Sequence, residues 1–348
     1  MLSSLFRPSI ALLNYGLVLA FSLAFCQQLG AEERNADVDQ VRGLIFENDQ
    51  FTFDDDGYTN GVAYVWGYGG FDSFDKRTPA WMEWLVDDAY VATMPDKERA
   101  ISYGIVQQII TPSRTADKKP DPNDRPYAGL LWWQANWYAS DETLADKITL
   151  ELGLVGPGAL AEYSQKGIHS ITGASEPQGW DEQLDNEPIF RVAAKRNWRL
   201  GERSFDSFGV DMVSHLAAGA GNRRSDVGAG ISFRIGRGLK RNLANASVEP
   251  VLDINPLAGG ASAMYAFIGF GGRYVFNDIS LDGNTFENSA SVDLEHWQGQ
   301  ASLGTVLDVG KWSWRFSLYM GSDEWDTQRD NSKYGSLSLS YRIDAGNR

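Results

Sequence analysis

The chain has 348 residues, with 31 Lys and Arg against 46 Asp and Glu, and a net charge of −15. This acidic balance argues against a nucleic-acid partner, because phosphate backbones select basic surfaces. The 12 Trp, 14 Tyr, 17 Phe and 36 Gly are an unusually rich supply of aromatic residues and glycine. With Cys26 as the single cysteine, the chain can form no internal disulfide.

The N-terminal residues predict a secretory signal peptide over residues 1–31. Arg7 precedes an apolar run from Ile10 to Phe25, and small residues follow shortly afterwards. Cleavage after Ala31 removes one Arg and no acidic residue, so the net charge moves from −15 to −16. Residues 32–348 would then form one domain. A lipoprotein anchor on Cys26 is the alternative, which the bulky residue before it disfavours.

Alternation of apolar and polar residues predicts how the exported domain is built. No later segment has the roughly 18 apolar residues that a membrane helix needs. In residues 147–155 (KITLELGLV) and 334–343 (YGSLSLSYRI), apolar side chains alternate with Thr, Glu, Gly or Ser. A soluble β-sandwich would also alternate, with its bulky face inward. Aromatic residues at strand ends and polar or glycine interiors favour an all-β, antiparallel transmembrane barrel.

We predict twelve strands, an even number that closes a barrel with both chain ends on one side. The predicted strands are residues 44–53, 58–68, 100–110, 127–138, 146–155, 188–197, 207–217, 226–236, 262–276, 298–309, 311–321 and 334–343. The connections after strands 1, 3 and 5 would then share the outward side. They are the turn at 54–57 and the segments 111–126 and 156–187.

A connection on the inward side, residues 71–98, predicts a short helix from Trp81 to Ala92. Its Trp81, Trp84 and Leu85 could rest on the membrane surface. Packing against the barrel rim is the alternative.

The third outward segment predicts a short loop helix that carries a candidate catalytic base. Residues Ala159 to Ile171 have helical spacing, and Glu162, Gln165 and His169 share one helix face at i, i+3 and i+7. A neutral histidine can take a proton from water, as ester hydrolysis requires. Gln165 could orient the imidazole or hold a substrate oxygen. A histidine that only packs on the barrel rim is the alternative.

The stretch FENDQFTFDDDGYTNG, residues 46–61, supplies candidate oxygen ligands for a hard divalent cation. Asn48, Asp49 and Thr59 provide an amide, a carboxylate and a hydroxyl from neighbouring strands. The run Asp54–Asp56 does not match the spacing of an EF-hand loop. We interpret it as a polar hairpin turn closed by Asp-Gly.

Several ordered motifs resemble the outer-membrane lipid A 3'-O-deacylase family. The first three are END at 47–49, DGYTNG at 56–61 and DRPYAG at 124–129. The last pattern comprises Gly153, Val155, Gly156, Pro157, Ala159, Gln165, His169, Gly179, Trp180, Gln183 and Glu187. The resemblance covers most of the first half of the mature chain, whereas the second half matches only in strand pattern.

The resemblance implies an outer-membrane hydrolase that removes the 3'-linked acyloxyacyl group of lipid A and needs a divalent cation, usually Ca²⁺. The site would lie at the outer end, facing the extracellular leaflet, between the barrel wall and the loop helix. His169 would activate a water, and Asp49 would help bind the calcium that polarises the ester carbonyl. Asn48, Thr59 and Gln165 would complete the site.

The resemblance also implies residues for the metal and the head group. Glu176 corresponds to an acidic residue that the family places after the helix, shifted by one from Ser175. Lys118, Lys119 and Arg125 suit the phosphates of lipopolysaccharide, although they could be ordinary loop charges. Asp117 stands where the first basic residue is expected. We expect a monomer whose other partners are outer-membrane lipids.

Two other functions stay open at the level of sequence. An outer-membrane phospholipase of the A type would use a serine nucleophile with a histidine, but Ser170 beside His169 points elsewhere on the helix. A non-catalytic porin or adhesin barrel would conduct ions or bind ligands without cleaving esters.

Overall fold

The structure, a computed structural model, describes residues 39–52, 58–74, 78–86, 89–172, 176–205, 208–245, 252–258 and 262–343. Within these ranges twelve antiparallel strands form a closed barrel in which each strand pairs with the next and the last pairs with the first. The strands are β1 Asp39–Asn48, β2 Tyr58–Phe71, β3 Glu98–Ile110, β4 Ala128–Ser140, β5 Leu144–Val155, β6 Glu187–Phe205, β7 Phe208–Ala220, β8 Arg224–Arg237, β9 Ala263–Asp278, β10 Trp297–Val309, β11 Trp312–Gly321 and β12 Lys333–Ile343. The predicted fold class is confirmed.

The largest boundary errors of the sequence prediction lie at β1 and β6. The prediction continued the first strand to residue 53, whereas β1 ends at Asn48 and a 3-10 turn follows over Asp49–Thr52. The chain turns there because Phe51 folds back, with its ring 5.9 Å from that of Phe46 and 5.7 Å from that of Phe316. β6 runs on to Phe205, beyond the predicted end at 197.

The described helices are short and lie in the connections. They are α1 Ala80–Val86, α2 Tyr90–Thr93, α3 Ala161–Thr172 and α4 Ile279–Asp282. The single helix predicted from Trp81 to Ala92 is therefore wrong in detail, since two helices occupy that segment. The helix predicted from 159 to 171 is confirmed as α3, one or two residues later along the chain.

No helix in the described part of the chain combines the length and the apolar character that crossing a membrane requires. The predicted signal peptide, residues 1–31, and the predicted turn at 54–57 lie outside the described residues.

The two faces of the wall differ in polarity, as expected for a barrel in lipid. Outward residues such as Phe233, Phe270 and Leu303 are exposed and apolar. Inward residues carry charge: Asp211 accepts hydrogen bonds from Arg234 at 2.8 and 2.5 Å and from Arg199 at 3.1 Å. Pairing of this kind is what allows charged groups to be buried.

A segment of the β8–β9 connection, residues 252–258, lies inside the barrel, and we call it the lumen segment. Gln134 donates to the Leu252 carbonyl at 2.7 Å, and Asp253 accepts from Lys147 at 2.6 Å and from Tyr138 at 2.9 Å. A Cβ at Gly67 would lie 2.6 Å from Pro256, so the wall needs glycine there. These contacts fill the half of the lumen nearest the chain termini.

Helices α1 and α2 pack on the outside of the barrel near the same end. Met82, Val86 and Val91 are buried in one cluster with outward residues of β3–β5, including Trp137 and Ile148. Trp84 remains exposed, whereas the ring of Trp81, although partly exposed, lies 6.1 Å from that of Trp133 on the wall. The helices therefore pack against the barrel, and contact of their tryptophans with the membrane surface stays a prediction.

We expect Asp253→Ala to weaken the barrel by about 1–3 kcal/mol, because Lys147 loses the charge that pairs with it. Lys147→Met should rescue part of the loss, so that the double variant is more stable than the sum of the single changes predicts. Urea unfolding in lipid vesicles measures these differences. The exposed Asp330→Ala is the control, and strict additivity would contradict the pairing.

Candidate active site

The loop helix α3 is held against the outer wall by a close backbone approach. A Cβ at Gly129 of β4 would lie 2.6 Å from the Cβ of Ala161, so glycine lets the helix reach the strand. Gln107 of β3 donates to the Ala159 carbonyl at 2.7 Å. Leu160, at φ 60°, turns the chain between the preceding 3-10 turn and α3. The start of α3 is therefore fixed on β3 and β4, outside the barrel.

The buried face of α3 carries the predicted catalytic side chains. Ala161 and Gln165 are buried, and His169 follows one turn later on the same face, half-buried. Trp180 donates from Nε1 to Oε1 of Gln165 at 2.8 Å, and its ring packs 4.9 Å from that of Tyr127. This bond fixes the amide and leaves Nε2 of Gln165 as the donor for a further partner.

The candidate site residues Asn48 and Asn60 lie where β1 ends and β2 begins, with their side chains on the outer face of the barrel. Glu47 lines the lumen, so Asn48, the next residue of β1, faces outward. Asn48 pairs in register with Asn60, which is only 6% exposed although it faces out of the barrel. A β-bulge at Thr59 shifts the pairing of β2 with Ile109 and Ile110.

Helix α3 and these strand ends meet at β3. Ile109 is buried in one cluster with Tyr127, Ala161 and Trp180, which ties the end of β3 to α3 and to the loop that follows it. Because Ile109 also pairs with Asn60, the outward ends of β1 and β2 stand next to the wall that α3 covers. The side chain of Thr59 is not among those that the structure describes, so only its place in the strand is known.

Asp49, the predicted calcium ligand, is a buried carboxylate with 2% of the residue exposed. It begins the 3-10 turn, in which Asn48 Oδ1 accepts from the Gln50 amide at 2.9 Å and Thr52 donates to the Asp49 carbonyl at 2.7 Å. No group of three or more His, Cys, Asp or Glu side chains that could hold a metal occurs in the described ranges. A cation here would need amide, hydroxyl or main-chain oxygens beside Asp49, a donor set that calcium accepts.

Glu162 lies at the edge of the face of α3 that carries Gln165 and His169, and Glu176 lies in the segment after the helix. Glu162 pairs with Lys166 at 2.7 Å and raises the pKa of that lysine, and Glu176 and Asp181 act in the same direction. Glu162 and His169, seven residues apart, share one side of the helix as predicted, and both are half-buried. Glu176 is exposed, and its predicted role as a metal ligand stays a prediction.

The basic residues of the 111–127 loop divide into two groups. Lys118 and Lys119 are exposed, and neither forms an ion pair with another described residue. Their loop leans on the segment after α3, since the Gln178 amide donates to the Thr115 carbonyl at 2.8 Å. Tyr127 donates to the same carbonyl at 3.2 Å, and burial raises its pKa to about 12, so the phenol stays protonated.

Arg125 is instead buried in the mouth of the barrel. It pairs with Glu324 at 3.4 Å, and its guanidinium lies 5.3 Å from the ring centre of Trp325. These contacts join two loops across the lumen and leave Arg125 facing away from the outer wall. A phosphate contact of Arg125 on the outer wall would require these bonds to break, and the predicted contact stays a prediction.

The structure puts Gln165 and His169 on one face of α3 and Asn48 and Asp49 at the end of β1, and their roles in a site stay predictions. The sequence analysis did not single out two neighbouring residues. Asn60 stands in the quoted DGYTNG motif, and its outward position follows from the register with Asn48. Trp180 stands in the family pattern, but its bond to Gln165 joins residues 15 positions apart, which no local signal reveals.

A family model described as outer membrane protein LpxR matches residues 15–343. The chain belongs to the LpxR family. This membership confirms the resemblance drawn from the motifs and assigns the barrel to the outer membrane. The solved structure of LpxR from Salmonella typhimurium is similar, with a TM-score of 0.71 and 18% identity, over 86% of this chain and 99% of that chain.

Two autotransporter barrels are less similar to this LpxR-family chain. The beta domain of the Bordetella autotransporter Brka has a TM-score of 0.39 at 8% identity, over 88% of this chain and 98% of that one. The NalP translocator domain from Neisseria meningitidis has a TM-score of 0.40 at 9% identity, over 96% and 98%. No curated protein matches the chain.

We expect Gly129→Val to lift α3 from the wall, because the new side chain collides with Ala161. Overpacking of this kind costs about 1–3 kcal/mol, which makes opening of the helix roughly fivefold or more frequent. Trypsin cleavage after Lys166, followed by mass spectrometry, measures the change. Gly167→Ala is the matched control, since a Cβ there meets nothing within 4 Å. Equal cleavage rates in the two variants would contradict this docking.

Proposed function

We propose that this LpxR-family chain is a calcium-dependent lipid A 3'-O-deacylase of the outer membrane, with its site facing the extracellular leaflet. The observation that carries the proposal is the position of the Gln165 and His169 face of α3, which packs against the lipid-facing side of the wall. A site outside the barrel receives its substrate sideways from the membrane. Asn48, Asp49 and Asn60 stand on the same outward end.

In this proposal His169 is the general base of an ester hydrolysis. Its neutral imidazole takes a proton from water as the oxygen attacks the ester carbonyl, and it then returns the proton to the departing sugar oxygen. Gln165, fixed through Oε1 by Trp180, donates from Nε2 to the carbonyl oxygen, on which negative charge develops. Water and ester are thereby converted to a free fatty acid and the 3'-hydroxyl of lipid A.

Asp49 would hold the calcium together with oxygens of Asn48 and Thr59. The buried carboxylate and the neighbouring amide are hard oxygen donors, so the residues present fit this ion. When bound, calcium would polarise the ester carbonyl as a Lewis acid. Asn48 would also orient the attacking water, a task for which its fixed amide is suited.

Lys118 and Lys119 would bind the phosphate groups of the lipid A head group. They are exposed in a loop that contacts the segment after α3, on the same end of the barrel as Asn48. The chain has a net charge of −15, but these two lysines, which form no ion pair with a described residue, favour an anionic substrate locally. Their loop would therefore orient the sugar, while Gln165 and His169 of α3 act on the ester.

The lumen does not favour the porin alternative. The lumen segment fills one half, and a cavity of about 220 Å³ lined by paired charges such as Arg223 and Glu151 occupies the other part. The phospholipase alternative needs a serine nucleophile near His169. Ser170 donates to the Gly167 carbonyl at 2.8 Å and is exposed, away from the buried face.

We expect His169→Ala to reduce lipid A deacylation by about 10²-fold or more, because the base that activates water is lost. Ser170→Ala should retain activity. Purified variants are compared by mass spectrometry of lipid A and phospholipid products, and heat-modified mobility shows that the barrel is folded. Loss of activity in Ser170→Ala, with phospholipid cleavage by the parent protein, would favour the phospholipase alternative.

We expect EDTA to abolish turnover and calcium to restore it. Asp49→Asn should raise the calcium concentration for half-maximal activity by about tenfold or more, since the site loses its buried negative charge. Calorimetric titration with calcium gives a readout that does not depend on catalysis. Glu176→Gln is the companion variant, and a raised calcium requirement is expected there too if Glu176 is a metal ligand as predicted. Unchanged turnover in EDTA would exclude the metal role.

A further inference from the structure

Aromatic rings form a continuous row on the outer wall below α3, and we call it the aromatic row. Its members are Tyr64, Trp66, Tyr103, Trp133 and Trp81, from β2, β3, β4 and α1. In this order the ring centres are 5.7, 5.9, 5.8 and 6.1 Å apart. Rings at these separations attract one another and pack as a group. The row is therefore a rigid group of packed rings that extends across β2, β3 and β4 on one side of the barrel.

The aromatic row lies at an unusual height. Aromatic girdles of membrane barrels normally lie at the two water interfaces. Trp66 is six residues below Asn60 along β2, roughly 20 Å of strand at about 3.3 Å per residue. With a strand tilt of about 40°, the vertical distance is roughly 15 Å. That is about half of the roughly 30 Å hydrocarbon core, so the row stands one leaflet below the candidate site.

Below the aromatic row the wall is covered by protein. Met82 and Val86 of α1 and Val91 of α2 pack on Ile101 and Ile148, which would otherwise face lipid. Above the row, Ile105 and Leu152 are 42% and 39% exposed. On this side only the half of the wall nearest α3 is open to hydrocarbon.

The opposite wall has no such boundary among its described residues. On β9, outward residues are exposed from Met264 near one end, through Ile268 and Phe270, to Phe276 near the other. A lipid chain can lie there along the whole height of the barrel. The bounded region between α3 and the aromatic row is thus a property of β2–β4, the strands that carry the candidate site. We call it the acyl bay and define it by Val62, Ile105 and Leu131, with Tyr64 of the aromatic row at its lower edge.

We propose that the acyl bay holds the fatty acyl chain of the ester that is cleaved, and that the aromatic row limits its length. The proposal rests on the proposed function, since it gives the same site its acyl subsite. The bay begins below Asn60 and has the depth of one leaflet. Its lining is apolar except for Gln107, which stands between Val62 and Leu131 and is already bonded to the Ala159 carbonyl at 2.7 Å. An acyl chain of the outer leaflet therefore matches it in chemistry, position and length. Trp66 and Tyr103 are the specificity-determining residues.

The protein would distinguish acyl chains of different length through contact with the aromatic row and not through burial of apolar surface. Hydrocarbon around the barrel is as apolar as the bay, so a chain gains little free energy by leaving lipid for protein. A chain that ends above the rings packs along Val62 and Ile105, whereas a longer one must bend at Trp66 or displace it. One methylene changes specificity by about 10-fold or more in pockets filled from water, and we expect about threefold here.

The test uses full-length protein in vesicles with a mixture of two lipid A molecules that differ only in the length of the 3'-linked chain. Mass spectrometry of the released fatty acids gives the ratio of kcat/KM for the long and short chains. We expect Trp66→Ala to raise this ratio about threefold or more, with kcat on the short chain unchanged. Tyr103→Ala removes a neighbouring ring of the aromatic row and serves as a second variant if Trp66→Ala does not fold.

Phe270→Ala is the matched control, because it removes an outward aromatic ring from the opposite wall. Its ratio should equal that of the parent protein. Active row variants with an unchanged ratio, or an equal shift in Phe270→Ala, would overturn the acyl bay and leave the deacylase function standing. A parent protein that cleaves neither lipid A would overturn the function, and the bay with it.

Discussion

The structure depends on the closure of the barrel by β1 and β12. Nine residues of β1, from Gln40 to Asn48, pair with Ile343 to Gly335 of β12, so the main chain of the first strand has a partner on both sides. A bilayer offers no water to satisfy unpaired amides and carbonyls, which makes a closed sheet obligatory for strands in lipid. Closure also fixes which side chains face in and which face out. It puts the side chain of Glu47 in the lumen and that of Asn48 on the outer wall. A shift of β1 by one residue would therefore turn the Asn48 amide into the lumen, away from the candidate site.

Closure leaves two places for polar groups, and the chain uses them differently. The lumen holds charges that are paired among themselves, such as Arg223 with Glu151 at 2.6 Å and Arg234 with Asp211. These groups satisfy one another and belong to the stability of the barrel. The outward ends of β1 and β2 instead hold Asn48, Asp49 and Asn60, next to the part of β3 and β4 that α3 covers. Polar side chains on the lipid-facing side of a barrel are typical of function.

The period of two along the strands was sufficient to predict strand number, order and most boundaries, because each strand separates lipid from a polar interior. The periodicity of the segment that carries Gln165 and His169 likewise predicted a helix. Contacts between residues far apart in the sequence could not be predicted. Phe51 ends β1 by packing on Phe316, and Gln134 holds Leu252 across 118 residues. The direction of Arg125 was missed because a basic residue before a proline shows its charge in the sequence but not the side of the wall it faces.

The lumen segment has a mechanical consequence. It is bonded to Gln134 and Tyr138 of β4, to Lys147 of β5 and, through the Pro256 carbonyl, to Arg342 of β12 at 2.9 Å. Three strands stand between β4 and β12 around the circumference. The segment therefore acts as an internal strut that resists flattening of the cross-section into an ellipse. Because β1 to β3 form the arc that this strut spans, its stiffness maintains the curvature that sets the ends of β1 and β2 beside the part of β3 and β4 that α3 covers.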